Sequence, residues 1–495
     1  MSAAQLTACA TDGEGWLQPA AHFPFSGRSM ARPNVLLVVV DQLRYDCIGF
    51  SNRYPVSTPN LDRFAAQSVW FSQSYTPIPT CCPARQSFLT GKRAEALGTL
   101  WNYDLGPRIP SLGPDHWTWS RALSESGYST GYVGKWHVSD RHGPQDFGFD
   151  TYISVDDYEA FRIRKHPDVH YRPDYLGEDD PLPLEDARTH WLTERAIDRM
   201  AALSRGGAPW LLRLDLPEPH LPCRPAEPFA SLYGPRDVPR WDSFGETFRN
   251  KPYIQRQQLL NWRLEDYDWD DWAPIVARYY NIIAQVDDAF GRLLRALDSI
   301  GAADETVVIF TSDHGDMCGA HRMLDKHYVL YDDVVRVPLA IRLPGQVERV
   351  STDAFVYNML DLAPTIMSMA GLQPPPGLHG IDLTQVVYGC KGFETRPHVV
   401  STYNGQQFGL YSQRMLRDRR WKYVWNATDV DELYDLEIDP AELHNVSGAP
   451  ENRTRLAQMR SSLYEELVTF GDTLVANPWL QDQFREADRK LGPPD

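Results

Sequence analysis

One short segment of this 495-residue chain, Cys81-Cys82-Pro83-Ala84-Arg85, combines residues that could do chemistry. Pro83 suits the first position of a helix that Gly91 can end, because a helix start leaves the N–H that proline lacks unbonded anyway. Cys81 would then lie at the helix N-terminus, where free N–H groups and the helix dipole favour an anion. A cysteine there is expected to be reactive, although a Cys-Pro pair alone also fits a helix start without a role.

Two polar pairs follow strand-like runs and could form one site. They are Asp41 with Gln42, after the first strand-like run, and Asp313 with His314, after the run Thr306–Thr311. In open α/β sheets ligands gather at the carboxyl ends of the strands, so the two pairs can converge there. Each pair alone fits an ordinary strand end or turn equally well.

Other side chains that could bind an anion or move a proton lie farther along the chain. Lys135 and His137 follow another strand-like run, and an extended chain would present both to the same side because they are two residues apart. His220 lies between two prolines, and Lys326 follows an aspartate in His321-Arg322-Met323-Leu324-Asp325. Taken singly, each of these residues also fits a solvated or stiff loop.

The cysteine segment, read with Leu89-Thr90-Gly91, resembles the modification signature of the sulfatase family, the formylglycine-dependent branch of the alkaline-phosphatase superfamily. Only Cys81 fits the register Cys-x-Pro-x-Arg. The resemblance implies that a formylglycine-generating enzyme oxidises Cys81 to formylglycine, whose hydrated aldehyde is the nucleophile. It also implies that Arg85 holds this group and helps to neutralise the site.

The same resemblance implies a divalent metal site. Its ligands would be Asp41, Gln42, Asp313 and His314, completed by one hydroxyl of modified residue 81. Oxygen-rich ligation favours Ca²⁺, with Mg²⁺ as an alternative. Many sulfatases have two aspartates first and Asp-Asn second, so Gln42 and His314 make this site less anionic and admit Mn²⁺. In this respect the chain resembles phosphonate monoester hydrolases and choline-sulfatase-like members.

The remaining candidates receive roles from the resemblance too. Lys135 would bind the sulfate, and His137 would be the base that releases it. His220 would contact the ester oxygen, Lys326 would bridge sulfate and leaving oxygen, and Asn102 would contact the anion. Phosphonate hydrolases usually lack the Lys/His pair, which favours sulfate over phosphonate.

The order of the elements predicts an α/β fold. Strand-like runs alternate with helical stretches, which predicts a doubly wound, mostly parallel central sheet with helices on both faces. The resemblance to sulfatases implies that this sheet is alkaline-phosphatase-like. A composition shift predicts a small C-terminal α+β subdomain with a short antiparallel sheet. The expected divisions are a disordered extension at 1–29, a catalytic domain at 30–388, and a C-terminal subdomain and tail at 389–495. Two segments, Val155–Leu184 and Arg236–Trp272, read as irregular surface insertions that shape the pocket.

Bulk properties restrict the partners. A formal charge of −17 argues against nucleic acid. No apolar run reaches the roughly 18–20 residues of a membrane span, and the start lacks a signal-peptide pattern. Seven irregularly spaced cysteines do not indicate a disulfide framework, so a cytoplasmic protein is expected. The sequence does not indicate an oligomeric state.

The predicted function is therefore hydrolysis of a sulfate ester of a carbohydrate or small organic alcohol. One alternative keeps the site but changes the substrate to a phosphonate monoester or phosphodiester. Another is an inactive, ligand-binding homologue in which Cys81 stays a thiol. Basic residues of the first insertion could read a second anionic group or simply be solvated: Arg162, Arg164, Lys165, His166 and Arg172.

Overall fold

The computed structural model describes residues 32–105, 108–109, 111–390, 393 and 395–485. The extension predicted at 1–29 and the end of the predicted tail lie outside the described residues.

The central sheet has eight strands in the order β4-β3-β5-β1-β6-β7-β2-β8. All pairings are parallel except those of β7, which is antiparallel to both β6 and β2. The predicted mostly parallel sheet is thus confirmed. The strands are β1 Asn34–Asp41, β2 Val69–Tyr75, β3 Ser129–Gly134, β4 Thr151–Ser154, β5 Trp210–Pro219, β6 Thr306–Ser312, β7 Leu339–Arg342 and β8 Val350–Tyr357.

Helices cover both faces of this sheet, as the apolar run in β1 requires. Successive side chains of a strand point to opposite faces, so Leu36 and Val38 enter one hydrophobic core while Val35 and Leu37 enter the other. The helices are α1 Pro59–Ala65, α2 Cys81–Thr90, α3 Ala94–Leu97, α4 Trp119–Glu125, α5 Val155–Lys165, α6 Arg188–Ser204, α7 Tyr253–Trp262, α8 Trp269–Ser299, α9 Asp332–Val335, α10 Asn358–Met369, α11 Thr384–Val387, α12 Arg453–Thr469 and α13 Pro478–Arg485. Within the described residues, no helix has the length and apolar character needed to cross a membrane.

A second sheet of four antiparallel strands confirms the predicted C-terminal architecture. Its order is β12-β11-β10-β9, and α12 packs on it through an apolar cluster that includes Trp425 and Leu463. The boundary at residue 388 stays a prediction. The strands are β9 Val399–Gln406, β10 Gly409–Arg417, β11 Trp421–Asn426 and β12 Glu432–Asp435.

The two insertions are less irregular than predicted. The first contains α5, whose N-cap Ser154 accepts a hydrogen bond from the Asp157 N–H and so satisfies a free donor. The second contains α7 and the start of α8. Asp268 caps α8 by accepting from the N–H groups of Asp270 and Asp271, so this helix starts before Pro274.

Candidate active site

The carboxyl ends of two neighbouring strands bring the two predicted polar pairs together. β1 and β6 run parallel, with Val40 opposite Ser312, so Asp41 and Asp313 emerge side by side. The Gln42 N–H donates to Asp313 Oδ1 at 3.1 Å and ties the two strand ends together. This edge of the sheet also faces the N-terminus of α2.

Four buried groups form one compact cluster there. The potential ligand atoms of Asp41, Cys81, Asp313 and His314 all lie within 4.8 Å of one another. Cys81 Sγ lies 3.1 Å from His314 Nε2 and 3.8 Å from Asp41 Oδ1. Four of the five predicted metal-ligating residues therefore meet, and they do so at the predicted helix start.

Gln42 takes a different set of contacts. Its Oε1 accepts from Lys326 Nζ at 2.8 Å, and its Nε2 donates to Asp316 at 2.7 Å and to Asp325 at 3.1 Å. Its role as a metal ligand stays a prediction, whereas its amide visibly positions Lys326. Sequence reasoning did not assign Asp316 or Asp325 a role, although both lie within three residues of assigned ones.

Arg85 is the buried cation that joins three buried carboxylates. Its guanidinium contacts Asp41 and Asp313 at 3.1 Å each and Asp215 at 2.5 Å. Asp215 lies on β5, where Arg213 pairs with it at 2.7 Å. Sequence reasoning missed these two residues. Their charges within an otherwise apolar strand were the available signal, because buried charges need partners.

Lys135 and His137 come from the loop after β3. Gly134 allows this loop to approach β5, since a Cβ there would lie 2.0 Å from the Asp215 carbonyl oxygen. Lys135 Nζ contacts Asp41 Oδ2 at 2.5 Å. His137 Nε2 lies 3.3 Å from Asp104 Oδ1, a partner not anticipated from the sequence. Burial lowers the pKa of His137, but the hydrogen bonds with Asp104 and Cys81 together outweigh burial and raise that pKa overall.

His220 and Lys326 form a second pair beside the cluster. Lys326 Nζ donates to His220 Nε2 at 2.8 Å, while His220 Nδ1 lies 2.6 Å from the Leu221 carbonyl oxygen. The ring therefore donates through Nδ1 and accepts through Nε2. Asn102 lies at the start of α2, where its Oδ1 accepts from the Cys82 N–H at 2.9 Å and satisfies a free donor of the helix.

The two adjacent cysteines have opposite electrostatic environments. Burial would raise the pKa of the Cys81 thiol, but the charges of Lys135, Lys326 and His314 lower it well below its usual value. Burial raises the pKa of the Cys82 thiol well above its usual value. The environment of Cys81 thus favours negative charge, as an anion-binding site requires.

An open cavity of about 620 Å³ leads from the surface to this cluster. Cys81, Lys135, His220 and Lys326 lie in its lining. The first insertion contributes Val155, Asp156 and Tyr175 to the lining. Trp262 of the second insertion stacks on Tyr175, with ring centroids 5.0 Å apart, but is not itself part of the lining. The volume suits a small molecule or a single sugar unit.

The buried donor set fits a divalent cation. Two carboxylates and an imidazole, with an oxygen from modified residue 81, are ligands that Ca²⁺, Mg²⁺ or Mn²⁺ accepts. Burial and the charge of Asp41 raise the pKa of Asp313, which shows the electrostatic strain of two buried carboxylates. A bound cation would relieve that strain.

Calcium is therefore expected to raise the melting temperature of the protein. A ligand of the folded state at a hundred times its dissociation constant stabilises by about 3 kcal/mol. Scanning calorimetry of chelator-treated protein with and without CaCl₂ measures this. Asp313→Asn should remove most of the shift, whereas Asp288→Asn, outside the cluster, should keep it. An equal shift in Asp313→Asn and wild-type protein would contradict the assigned site.

Taken together, the doubly wound sheet and the anion-favouring cluster at its carboxyl edge define an alkaline-phosphatase-like hydrolase. Residues 33–372 match the sulfatase family model, and residues 319–469 match the model of the N-sulphoglucosamine sulphohydrolase C-terminal region. The chain belongs to the sulfatase family. The predicted activity is confirmed at this level: the protein is an enzyme that hydrolyses sulfate esters.

Individual relatives are similar to this chain over nearly its whole length. The chain is 29% identical to the uncharacterized sulfatase YidJ of Escherichia coli, covering 94% of this chain and 91% of that protein. It is 28% identical to choline-sulfatase of Rhizobium meliloti, with coverage of 93% and 89%. The structure of the phosphonate monoester hydrolase of Agrobacterium radiobacter is similar with a TM-score of 0.74, 26% identity, and coverage of 89% and 96%.

Proposed function

We propose that this sulfatase acts through formylglycine at position 81 beside one divalent cation, for which Ca²⁺ is the first candidate. The observation that carries the proposal is the position of Cys81 at the start of α2, with Sγ 3.1 Å from His314 Nε2. A formylglycine-generating enzyme would be the maturation partner. The hydrated aldehyde offers one hydroxyl to attack sulfur and a second whose deprotonation expels sulfate.

Charge neutralisation is divided between two kinds of group. Asp41, Gln42, Asp313 and His314 would hold the cation, which supplies Lewis-acid stabilisation of the sulfate oxygens when bound. Lys135 and Lys326, which both line the cavity, would contact those oxygens directly. Arg85 has a different role from the lysines. Its guanidinium contacts three carboxylates, and it therefore positions Asp41 and Asp313 rather than the substrate.

Proton transfers fall to the two histidines of the cavity. The Lys326–His220 pair would protonate the leaving oxygen. Lys326 Nζ and His220 Nε2 lie 2.8 Å apart with a proton between them, and this proton could pass to an ester oxygen bound beside the pair. His137, held by Asp104, would take the proton from the second hydroxyl of residue 81. Lys135 and His137 together favour sulfate over phosphonate esters as substrates. Asn102 would support the anion from the start of α2.

The mass of the tryptic peptide Phe64–Arg85 tests the proposal. Protein co-produced with a formylglycine-generating enzyme and alkylated with iodoacetamide should give a peptide with an aldehyde at residue 81 and an alkylated thiol at Cys82. Cys82 is thus an internal control within the same peptide. Two alkylated thiols, under conditions that convert a known sulfatase, would favour an inactive homologue instead.

A further inference from the structure

Asp325 is a fully buried carboxylate that has no role in the reaction described so far. It directly precedes Lys326 in the chain, and none of its surface is exposed. It does not belong to the lining of the cavity, so it lies out of reach of a substrate. Burying a charge is costly unless that charge is paired, so the partners of Asp325 indicate what it does.

The carboxylate of Asp325 contacts the side chains of the two residues that follow it. Its Oδ1 lies 3.2 Å from Lys326 Nζ, and its Oδ2 lies 3.1 Å from His327 Nε2. Successive side chains of an extended segment would point to opposite sides. Here the chain turns at Asp325, whose φ of 66° is left-handed, a conformation that aspartate adopts more readily than most residues.

One oxygen of Asp325 closes a triangle around the lysine ammonium. Gln42 Nε2 donates to Asp325 Oδ1 at 3.1 Å, and Gln42 Oε1 accepts from Lys326 Nζ at 2.8 Å. The same Oδ1 forms the ion pair with Lys326 at 3.2 Å. Lysine ends a flexible four-carbon stem, so fixed partners are needed to hold its ammonium in one place. In this place Nζ donates to His220 Nε2 at 2.8 Å.

The other oxygen of Asp325 ties the carboxylate to two further parts of the fold. The hydroxyl of Tyr175, in the first insertion, donates to Oδ2 at 3.3 Å. His327, which also contacts Oδ2, has its Nδ1 3.1 Å from the hydroxyl of Tyr403 on β9 of the C-terminal sheet. With contacts on both oxygens, the carboxylate cannot rotate away from the lysine without breaking several of them.

We propose that Asp325 is a positioning residue for the acid that protonates the leaving oxygen. It holds Lys326 Nζ at His220 Nε2, where the leaving oxygen of a bound sulfate ester arrives. In the reaction an oxygen of residue 81 bonds to sulfur while the bond from sulfur to the leaving oxygen breaks. The electron pair of the broken bond stays on the leaving oxygen, which takes a proton from the Lys326–His220 pair. This inference rests on the proposed function and adds a residue to it.

Two aryl sulfates that differ in their need for a proton test this role. Para-nitrophenyl sulfate releases a stabilised phenolate, whereas phenyl sulfate releases one about as basic as the phenolate of tyrosine, whose pKa is about 10. We expect Asp325→Asn to lower kcat/KM for phenyl sulfate on the order of 10²-fold, the cost of a misplaced catalytic group, and for para-nitrophenyl sulfate by less than about tenfold. Equal losses for the two esters would indicate a purely structural role and overturn the inference.

Asp316→Asn is the matched control. Asp316 is also fully buried and accepts from Gln42 Nε2 at 2.7 Å, and its other oxygen accepts from the Cys318 N–H at 2.8 Å. Among the described residues it forms no ion pair with Lys326. This variant should therefore lower kcat/KM for both esters by similar factors, within about threefold of each other. A selective loss as large as that of Asp325→Asn would overturn the inference, because the amide of Gln42 would then be the cause.

A double substitution tests whether Asp325 acts through Lys326. Lys326→Met removes the acid itself and should show at least the same selective loss for phenyl sulfate. Adding Asp325→Asn to Lys326→Met should then leave the ratio of the two kcat/KM values unchanged, within about threefold. A further selective loss in the double variant would overturn the inference. Because the double variant removes both charges of the ion pair, it tests the inference even if Asp325→Asn alone fails to fold.

The wild-type protein separates this inference from the proposed function. No turnover of either ester by protein with confirmed aldehyde at residue 81 would reject the proposed function, and the inference with it. Turnover by the wild type combined with equal losses in Asp325→Asn would reject only the role of Asp325.

Discussion

Replacing Cys81 with alanine is expected to lower kcat for para-nitrophenyl sulfate by on the order of 10⁵–10⁶-fold, the scale on which covalent enzymes lose activity without their nucleophile. Serine at this position should allow at most one sulfation event per molecule. Its single hydroxyl can attack sulfur, but no second hydroxyl remains to expel sulfate. Steady-state kinetics measures the first effect, and intact-protein mass after incubation with substrate measures the second.

Cys82→Ser is the matched control for both variants. The Cys82 thiol points away from the cluster, with Sγ 3.9 Å from the Val138 carbonyl oxygen, and its pKa is raised rather than lowered. We expect this variant to retain catalysis within about tenfold, the loss of a buried thiol contact being small. Sustained turnover by Cys81→Ser would contradict a mechanism that needs two hydroxyls on residue 81.

The sequence predicted those parts of the site that are local in the chain. Cys81 is identified by its neighbours Pro83 and Arg85, and Asp41 by its position at the end of an apolar run. Convergence with Asp313 followed from a general rule about parallel sheets, because β1 and β6 both end at the carboxyl edge. Each of these inferences needed only a short segment and one topological rule.

The contacts between distant segments could not be predicted in the same way. Asp104 meets His137, and Asp325 lies 3.1 Å from Gln42 Nε2, through loops whose paths depend on the whole fold. A lone aspartate in a polar loop gives no periodic signal. For this reason the sequence did not indicate the acidic residues of the cavity lining, whereas the basic residues of the first insertion stand close together in the chain and were readable as a group.

In the fold, as in the site, some elements could be predicted from a short segment of sequence and others could not. The apolar run in β1 predicts a strand covered on both faces, and the structure has it in that place. The helices inside the insertions were missed because their apolar residues are few and their surroundings rich in charge. For α5, the capping pair Ser154 and Asp157 was the readable signal.

Replacing Arg85 with methionine is expected to lower the free energy of unfolding by about 3–5 kcal/mol, since it leaves buried carboxylates without their shared cation. Asp41 and Asp313 would repel each other directly, and Asp215 would keep only Arg213. Urea unfolding followed by tryptophan fluorescence measures the loss. Activity should fall as well, on the order of 10²-fold, because displaced ligands displace the nucleophile.

Two further variants separate charge from geometry at this position. Arg85→Lys keeps the charge but not the planar fork that reaches three carboxylates, so its stability should lie between wild type and Arg85→Met. Adding Asp215→Asn to Arg85→Met removes one of the orphaned charges and should recover part of the lost stability. If the free energy of unfolding of Arg85→Met lies within about 1 kcal/mol of the wild-type value, which is the range of exposed ion pairs, Arg85 does not hold the cluster of carboxylates together.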